Sequence, residues 1–78
     1  MDIRELQGAI RNCNFEWRKH TLIRLAERNI VQDKILEVVL NGEVIEDYPQ
    51  DKPFSSCLIF KLVGDIPYHV VVGYDVVN

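Results

Sequence analysis

The apolar positions of this chain change period near residue 42, from helical spacing to alternation. Before that point, Ile3, Leu6 and Ile10 recur at helical intervals behind Asp2 and Glu5, an acidic pair with the spacing of a capping box. A first helix is expected there, weakened by Gly8, which costs roughly 1 kcal/mol relative to alanine inside a helix. Asn12-Cys13-Asn14 interrupts the pattern, and Phe15 and Trp17 alternate with Glu16 and Arg18 as in a short extended stretch. A second helix is expected over about residues 20–28, with Leu22, Leu25 and Ala26 facing inward, Ile23 at the flank and Asn29 as its stop. A third runs from about Gln32 to Leu40, with Ile35, Leu36, Val39 and Leu40 directed at the core. Asn41-Gly42 ends it, glycine being the residue that best tolerates the left-handed backbone of a C-cap.

Beyond residue 42 the chain reads as strands: 43–48, stopped by Pro49, then 56–63 and 68–74. Gly64-Asp65-Ile66-Pro67 supplies the turn between the last two, which are expected to pair antiparallel. In the second strand Leu58, Phe60 and Leu62 share one face, and Cys57, Ile59, Lys61 and Val63 the other. In the third, Tyr68, Val70, Val72 and Tyr74 lie opposite to His69, Val71 and Gly73. Helices followed by strands predict an α+β fold, with the N-terminal helices packed on one face of a small antiparallel sheet. Residues 1–78 form one domain, with no internal repeat or linker. The ending Val76-Val77-Asn78 is expected to leave the sheet short of a covering strand, and an uncovered edge can pair with a second chain.

Composition narrows this picture only a little. At 78 residues the core is limited in size, while 47% hydrophobic content argues against disorder. No apolar run is long enough to cross a membrane, and the opening Met1-Asp-Ile-Arg-Glu-Leu6 is polar rather than a secretory signal. A cytoplasmic location follows as the expectation, with Cys13 and Cys57 as free structural thiols. Charge is more informative. The net of −3 opposes indiscriminate nucleic-acid binding, yet residues 11–28 hold Arg11, Arg18, Lys19, Arg24 and Arg28 against Glu16 and Glu27 alone, a local +3. Residues 29–78 hold three lysines against eight carboxylates. Such a patch can hold one stretch of phosphate, or the two halves can neutralise each other in the fold.

His20, Arg24 and Arg28 recur every fourth residue, which stacks three basic side chains on one helix face. Like charges so spaced cost an isolated helix roughly 0.2–0.5 kcal/mol per pair, so acidic neighbours or a bound anion must offset them. RNA carries its own nucleophile in the 2′-hydroxyl. Its cleavage needs a base, an acid and a cation for the crowded phosphate, but no metal. Imidazole suits the proton roles and the guanidinium fork suits phosphate. His20 and His69 are therefore the candidate catalytic pair and Arg24 and Arg28 the candidate phosphate holders, provided the outer face of the second helix lies beside the His69 face of the third strand. Two histidines and two separated cysteines do not make a zinc site, and no cofactor is expected.

Each residue also has a plainer role. Arg24 can pair with Glu27, and Arg28 with Asp33 or the acidic first strand, for roughly 0–1 kcal/mol each. His20 can be a solvated helix-start residue and His69 a hydrogen-bonded sheet residue. Tyr48, Tyr68 and Tyr74 could stack on bases but read as structural.

Three segments together resemble a known family: His20-x-x-x-Arg24-x-x-x-Arg28-Asn-Ile30, Asn41-Gly-Glu-Val-Ile-Glu-Asp-Tyr-Pro49 and His69-Val-Val-Val-Gly73. They follow the pattern of the domain-of-unknown-function 4258 family, which is similar to RelE-type toxins and the wider group of metal-independent ribonucleases of that fold. The resemblance spans roughly residues 15–75. It implies a RelE-toxin-like arrangement, toxin-like endoribonuclease activity at His20, Arg24, Arg28 and His69, RNA as substrate and a neighbouring antitoxin protein. Members usually continue into one more strand with an aromatic-rich ending. A rival reading from another class is a non-catalytic interaction module that forms a homodimer through its open edge strand.

Overall fold

The structure is a computed structural model that describes residues 2–75. The segment Val76–Asn78, on which the missing-strand expectation rests, lies outside the described residues. Three helices, α1 (Ile3–Arg11), α2 (Lys19–Glu27) and α3 (Gln32–Asn41), precede three strands, β1 (Glu43–Tyr48), β2 (Ser55–Val63) and β3 (Ile66–Tyr74). The strands form one antiparallel sheet in the order β1-β2-β3. The α+β class expected from the pattern is the observed one.

Helix ends follow local chemistry, with some departures from expectation. The Asp2 side chain caps α1 by accepting from the Arg4 N–H at 2.9 Å. Its second partner is the Arg4 guanidinium, at 3.0 Å, rather than a reciprocal bond from Glu5. α1 and α2 close with the same pair of bonds, one from the residue after the cap and one from the next: Cys13 N–H to Ile10 O and Asn14 N–H to Ala9 O, then Asn29 N–H to Ala26 O and Ile30 N–H to Leu25 O. The left-handed residue this closure needs is Asn29 (φ 55°) in α2, as its sequence suggests, and Cys13 (φ 56°) in α1. Cys13 is exposed, not a buried structural thiol, whereas Cys57 is fully buried. Phe15 and Trp17 form no strand; their rings meet edge-to-face at 6.2 Å in the α1–α2 connection.

Gly42 ends α3, but not with a left-handed backbone: its φ is −90°. A Cβ there would lie 2.7 Å from the Phe60 carbonyl oxygen and 2.8 Å from Ile59 Cγ2, and would also strike the Val38 carbonyl. The glycine is required for close approach of α3 to β2, and its conformational freedom is not what the site uses. Beside it, Gln7 Nε2 reaches from α1 to donate to Leu40 O at 2.9 Å, and Asn41 Nδ2 donates to Glu37 O at 3.0 Å. The Gln7 bond satisfies a carbonyl of the last turn whose intrahelical partner is missing, and the Asn41 side chain adds a second donor to the Glu37 carbonyl.

The core lies between α1, α3 and one face of the sheet. Leu6, Val38, Cys57 and Ile59 are its centre, flanked by Tyr68, Val70 and Val72. Val38 is fully buried, although the helical pattern pointed to Ile35, Leu36, Val39 and Leu40; of these only Val39 is buried. α3 touches both α1 and the sheet, which turns the Val38–Val39 seam inward. α2 contributes nothing to this cluster. Of its expected inner face only Leu25 is buried; Leu22 and Ala26 are exposed.

The β2–β3 turn is two residues, Gly64 (φ 56°) and Asp65 (φ 68°), so Ile66 and Pro67 belong to β3 and not to the turn. Two successive positive φ values match the right-handed twist of the flanking strands. Pro67 opposite Leu62 is tolerated because β3 is an edge strand and this pair turns its backbone groups outward. In β1 the register slips between Val44 and Glu46, leaving Ile45 as a bulge. Val44 and Asp47 thereby share the helix-side face, while Glu46 moves to the open one.

Gly42→Ala should cost about 3 kcal/mol, the upper range for overpacking, because two of the three obstructing atoms are backbone oxygens. Urea denaturation monitored by circular dichroism checks this; a loss under about 0.5 kcal/mol, the level of an ordinary surface substitution, would contradict the close approach.

Candidate functional site

β3 alternates its side chains between the two faces of the sheet. Tyr68, Val70 and Val72 pack under the helices, so His69 stands on the face away from α1 and α3. There it is exposed and sits opposite Phe60 of β2, with ring centroids 5.1 Å apart and planes inclined by 50°. Leu58, Phe60 and Leu62 share this open face, with Leu62 55% exposed, and Val71 beside His69 is 67% exposed. Neither strand's own pattern identifies Phe60 as the neighbour of His69; the register that pairs them is a tertiary fact.

His20 occupies the first turn of α2, Arg24 its last turn and Arg28 its C-cap, and all three are exposed. Among the described residues no hydrogen bond, ion pair or ring contact joins His69 to any of the three. The expected pairings of Arg24 with Glu27 and Arg28 with Asp33 also do not form; the ion pairs among the described residues are Arg4 with Asp2 and Lys34 with Glu37. Among the described residues, the basic face of α2 thus has no carboxylate contact to neutralise it. Arg24 still gains from the negative end of the helix dipole. His20 does not, because it stands at the positive end.

That end of α2 is unusually cationic. Its N-cap is Arg18 without a side-chain cap bond, its first residues are Lys19 and His20, and its first turn holds no acid. Phe15 and Trp17 lead directly into it. A shallow groove of about 470 Å³ lies along the other side of α2, lined by Leu22, Leu25, Ala26, Ile30 and Val31; none of the four candidate residues lines it. Among the described residues no group of three or more histidine, cysteine, aspartate or glutamate side chains could hold a metal ion. No helix among them is long and apolar enough to cross a membrane.

One polar link crosses the helix-side face. The β1 bulge sets Asp47 beside Cys57, and Tyr74 Oη donates to Asp47 Oδ1 at 2.8 Å across β2. That hydrogen bond, more than burial or the Asp47 charge itself, raises the Tyr74 phenol above its ordinary value. Burial likewise pushes the Cys57 thiol up, which keeps it protonated and poorly nucleophilic. Tyr74 is therefore a structural strap.

A family model described as a domain of unknown function, DUF4258, matches residues 17–78. No curated protein and no solved structure matches the chain.

A phenol raised in the folded state stabilises the fold below the ordinary pKa of 10.0, and this contribution is lost as pH rises through the raised value. Titration of Tyr74 by ultraviolet absorbance, with Tyr48 and Tyr68 replaced by Phe, should give a midpoint above 10.0 that falls back in Asp47→Ala. An unchanged midpoint in Asp47→Ala would remove the strap.

Proposed function

The chain belongs to the DUF4258 family, and from that premise we propose that it is a toxin-like, metal-independent ribonuclease. The observation that carries this reading is the cationic start of α2: an uncapped helix N-terminus beside Arg18, Lys19 and His20, continued by Arg24 and Arg28, with no acid in its first turn. Helix N-termini favour anions, and each unneutralised cation on the same face adds to the attraction for an RNA backbone. The similarity of the family to RelE-type toxins adds the expectation of RNA cleavage and of an antitoxin partner.

In the proposed reaction a base takes the proton of a 2′-hydroxyl, and the resulting oxygen attacks the adjacent phosphorus. The bond from phosphorus to the 5′-oxygen breaks, and an acid protonates the leaving oxygen. The products are a 2′,3′-cyclic phosphate and a 5′-hydroxyl. His20 and His69 are assigned the two proton roles, and Arg24 and Arg28 hold the phosphate oxygens. Phe60 beside His69 offers a ring on which a base can stack. One RNA segment must reach both α2 and the open sheet face for this scheme to operate, so the two histidines are tested separately.

A second reading, a non-catalytic interaction module, is favoured by the open sheet face, on which Leu62 and Val71 are exposed beside the half-buried Leu58 and Phe60. Single-turnover cleavage of a labelled RNA in the presence of a chelator separates the two. His20→Ala and His69→Ala should each slow cleavage by about 10²–10⁴-fold, the range for loss of a general acid or base. Retention of activity in the double variant would sink the catalytic scheme, and no cleavage by the unmodified protein would leave the interaction module. Arg24→Ala with Arg28→Ala should weaken RNA binding across sequences and lower the slope of log affinity against log salt by roughly 1 for each phosphate no longer neutralised.

A further inference from the structure

The two edges of the sheet are built differently. β1 is protected in the ways edge strands usually are: Glu43, Glu46 and Asp47 place carboxylates along it, and the bulge at Ile45 breaks its register. β3 has neither device. Its nine residues, Ile66–Tyr74, include no Asp, Glu, Lys or Arg, and its register with β2 is unbroken from Val63–Ile66 to Ser55–Tyr74. Pro67 interrupts only its beginning.

The direction of its backbone groups follows from the turn. Ile66 pairs with Val63 across a two-residue loop, so Ile66, Tyr68, Val70, Val72 and Tyr74 turn N–H and C=O toward β2. His69, Val71 and Gly73 turn theirs outward, and all three are exposed. Among the described residues none of them forms a backbone hydrogen bond with another segment. A straight, charge-free strand with a free ladder of donors and acceptors is a template for strand addition.

We propose that β3 pairs antiparallel with β3 of a second copy of this chain, about a two-fold axis at Val71, to make a continuous six-stranded sheet. Charge selects the partner. A β3–β3 contact brings no like charges together, whereas a β1–β1 contact would juxtapose carboxylates. Two neighbouring registers bring like groups together. An axis at Val70 would set Asp65 opposite the second copy's Asp75, and one at His69 would set two imidazoles face to face. With the axis at Val71, Val71 meets the second copy's Val71, and His69 meets the second copy's Gly73, which has no side chain to oppose the imidazole and lies beside Phe54. The two open faces then join, and Val71, 67% exposed in the single chain, becomes the centre of an apolar strip. This pairing does not depend on RNA cleavage.

Light scattering on the purified chain over a concentration series, with circular dichroism on each variant, tests the pairing. The wild-type mass should be that of two chains, and Val71→Lys should give one chain with an unchanged spectrum. A second variant does not depend on losing an interaction. Val71→Cys in a Cys13→Ser background should crosslink to itself on mild oxidation. Directly opposed Cα atoms in such a pair lie roughly 5.5 Å apart, within the range of about 4.4–6.8 Å that a disulfide spans. A wild-type mass of one chain throughout overturns the proposal, as does a dimer that survives Val71→Lys. A dimer without the residue-71 crosslink overturns the axis.

Discussion

Everything else in the domain is arranged around the direct contact of α3 with β2 at Gly42. There the chain passes from helix to strand with no room for a Cβ between Val38, Ile59 and Phe60. That closeness is what buries Val38, Cys57 and Ile59 completely in a chain of only 78 residues. A small domain has few apolar side chains to commit, so a tight seam gains more than a wide one. α1 is then fixed against α3 by Leu6 and by the Gln7 side chain on the final carbonyls of α3.

The same economy leaves surfaces uncommitted. With α1 and α3 occupying one face of the sheet, no helix covers the other; the 49–54 loop shields only its Ser56 end, and α2 is held chiefly by Leu25. Bare surface in a small protein is a cost unless something uses it. The arrangement divides it by chemistry: cations on α2, apolar and aromatic groups on the open sheet face and, among the described residues, an unpaired, charge-free edge at β3. Phosphate suits the first, a base ring the second and another strand the third. His69 belongs to the open face by parity along β3 and lies two residues from Val71, so strand pairing at β3 would place two such histidines on one extended sheet.

The β1 bulge is a small local irregularity with a wide effect. One extra residue moves Asp47 to the helix side and Glu46 to the open side. It brings Asp47 within reach of Tyr74 across the full width of the sheet and roughens the edge that β1 would otherwise present. Strap and edge protection come from one insertion.

Sequence by itself determined the order and type of all six elements, because hydrophobic period and turn residues are local signals. It also determined that His69 lies opposite to Tyr68 and Val70, since alternation in β3 allows only two faces, and that His20, Arg24 and Arg28 stack on α2. Tertiary structure decided which face would be buried, that Val38 rather than Leu36 would fill the seam, and that Gly42 would serve close approach instead of a left-handed cap. It decided the partner of His69, because register belongs to a pair of strands and neither strand alone carries it. It also left Leu22 and Ala26 of α2 exposed. An amphipathic pattern states that a helix can bury a surface, while only packing determines whether another element is there to receive it.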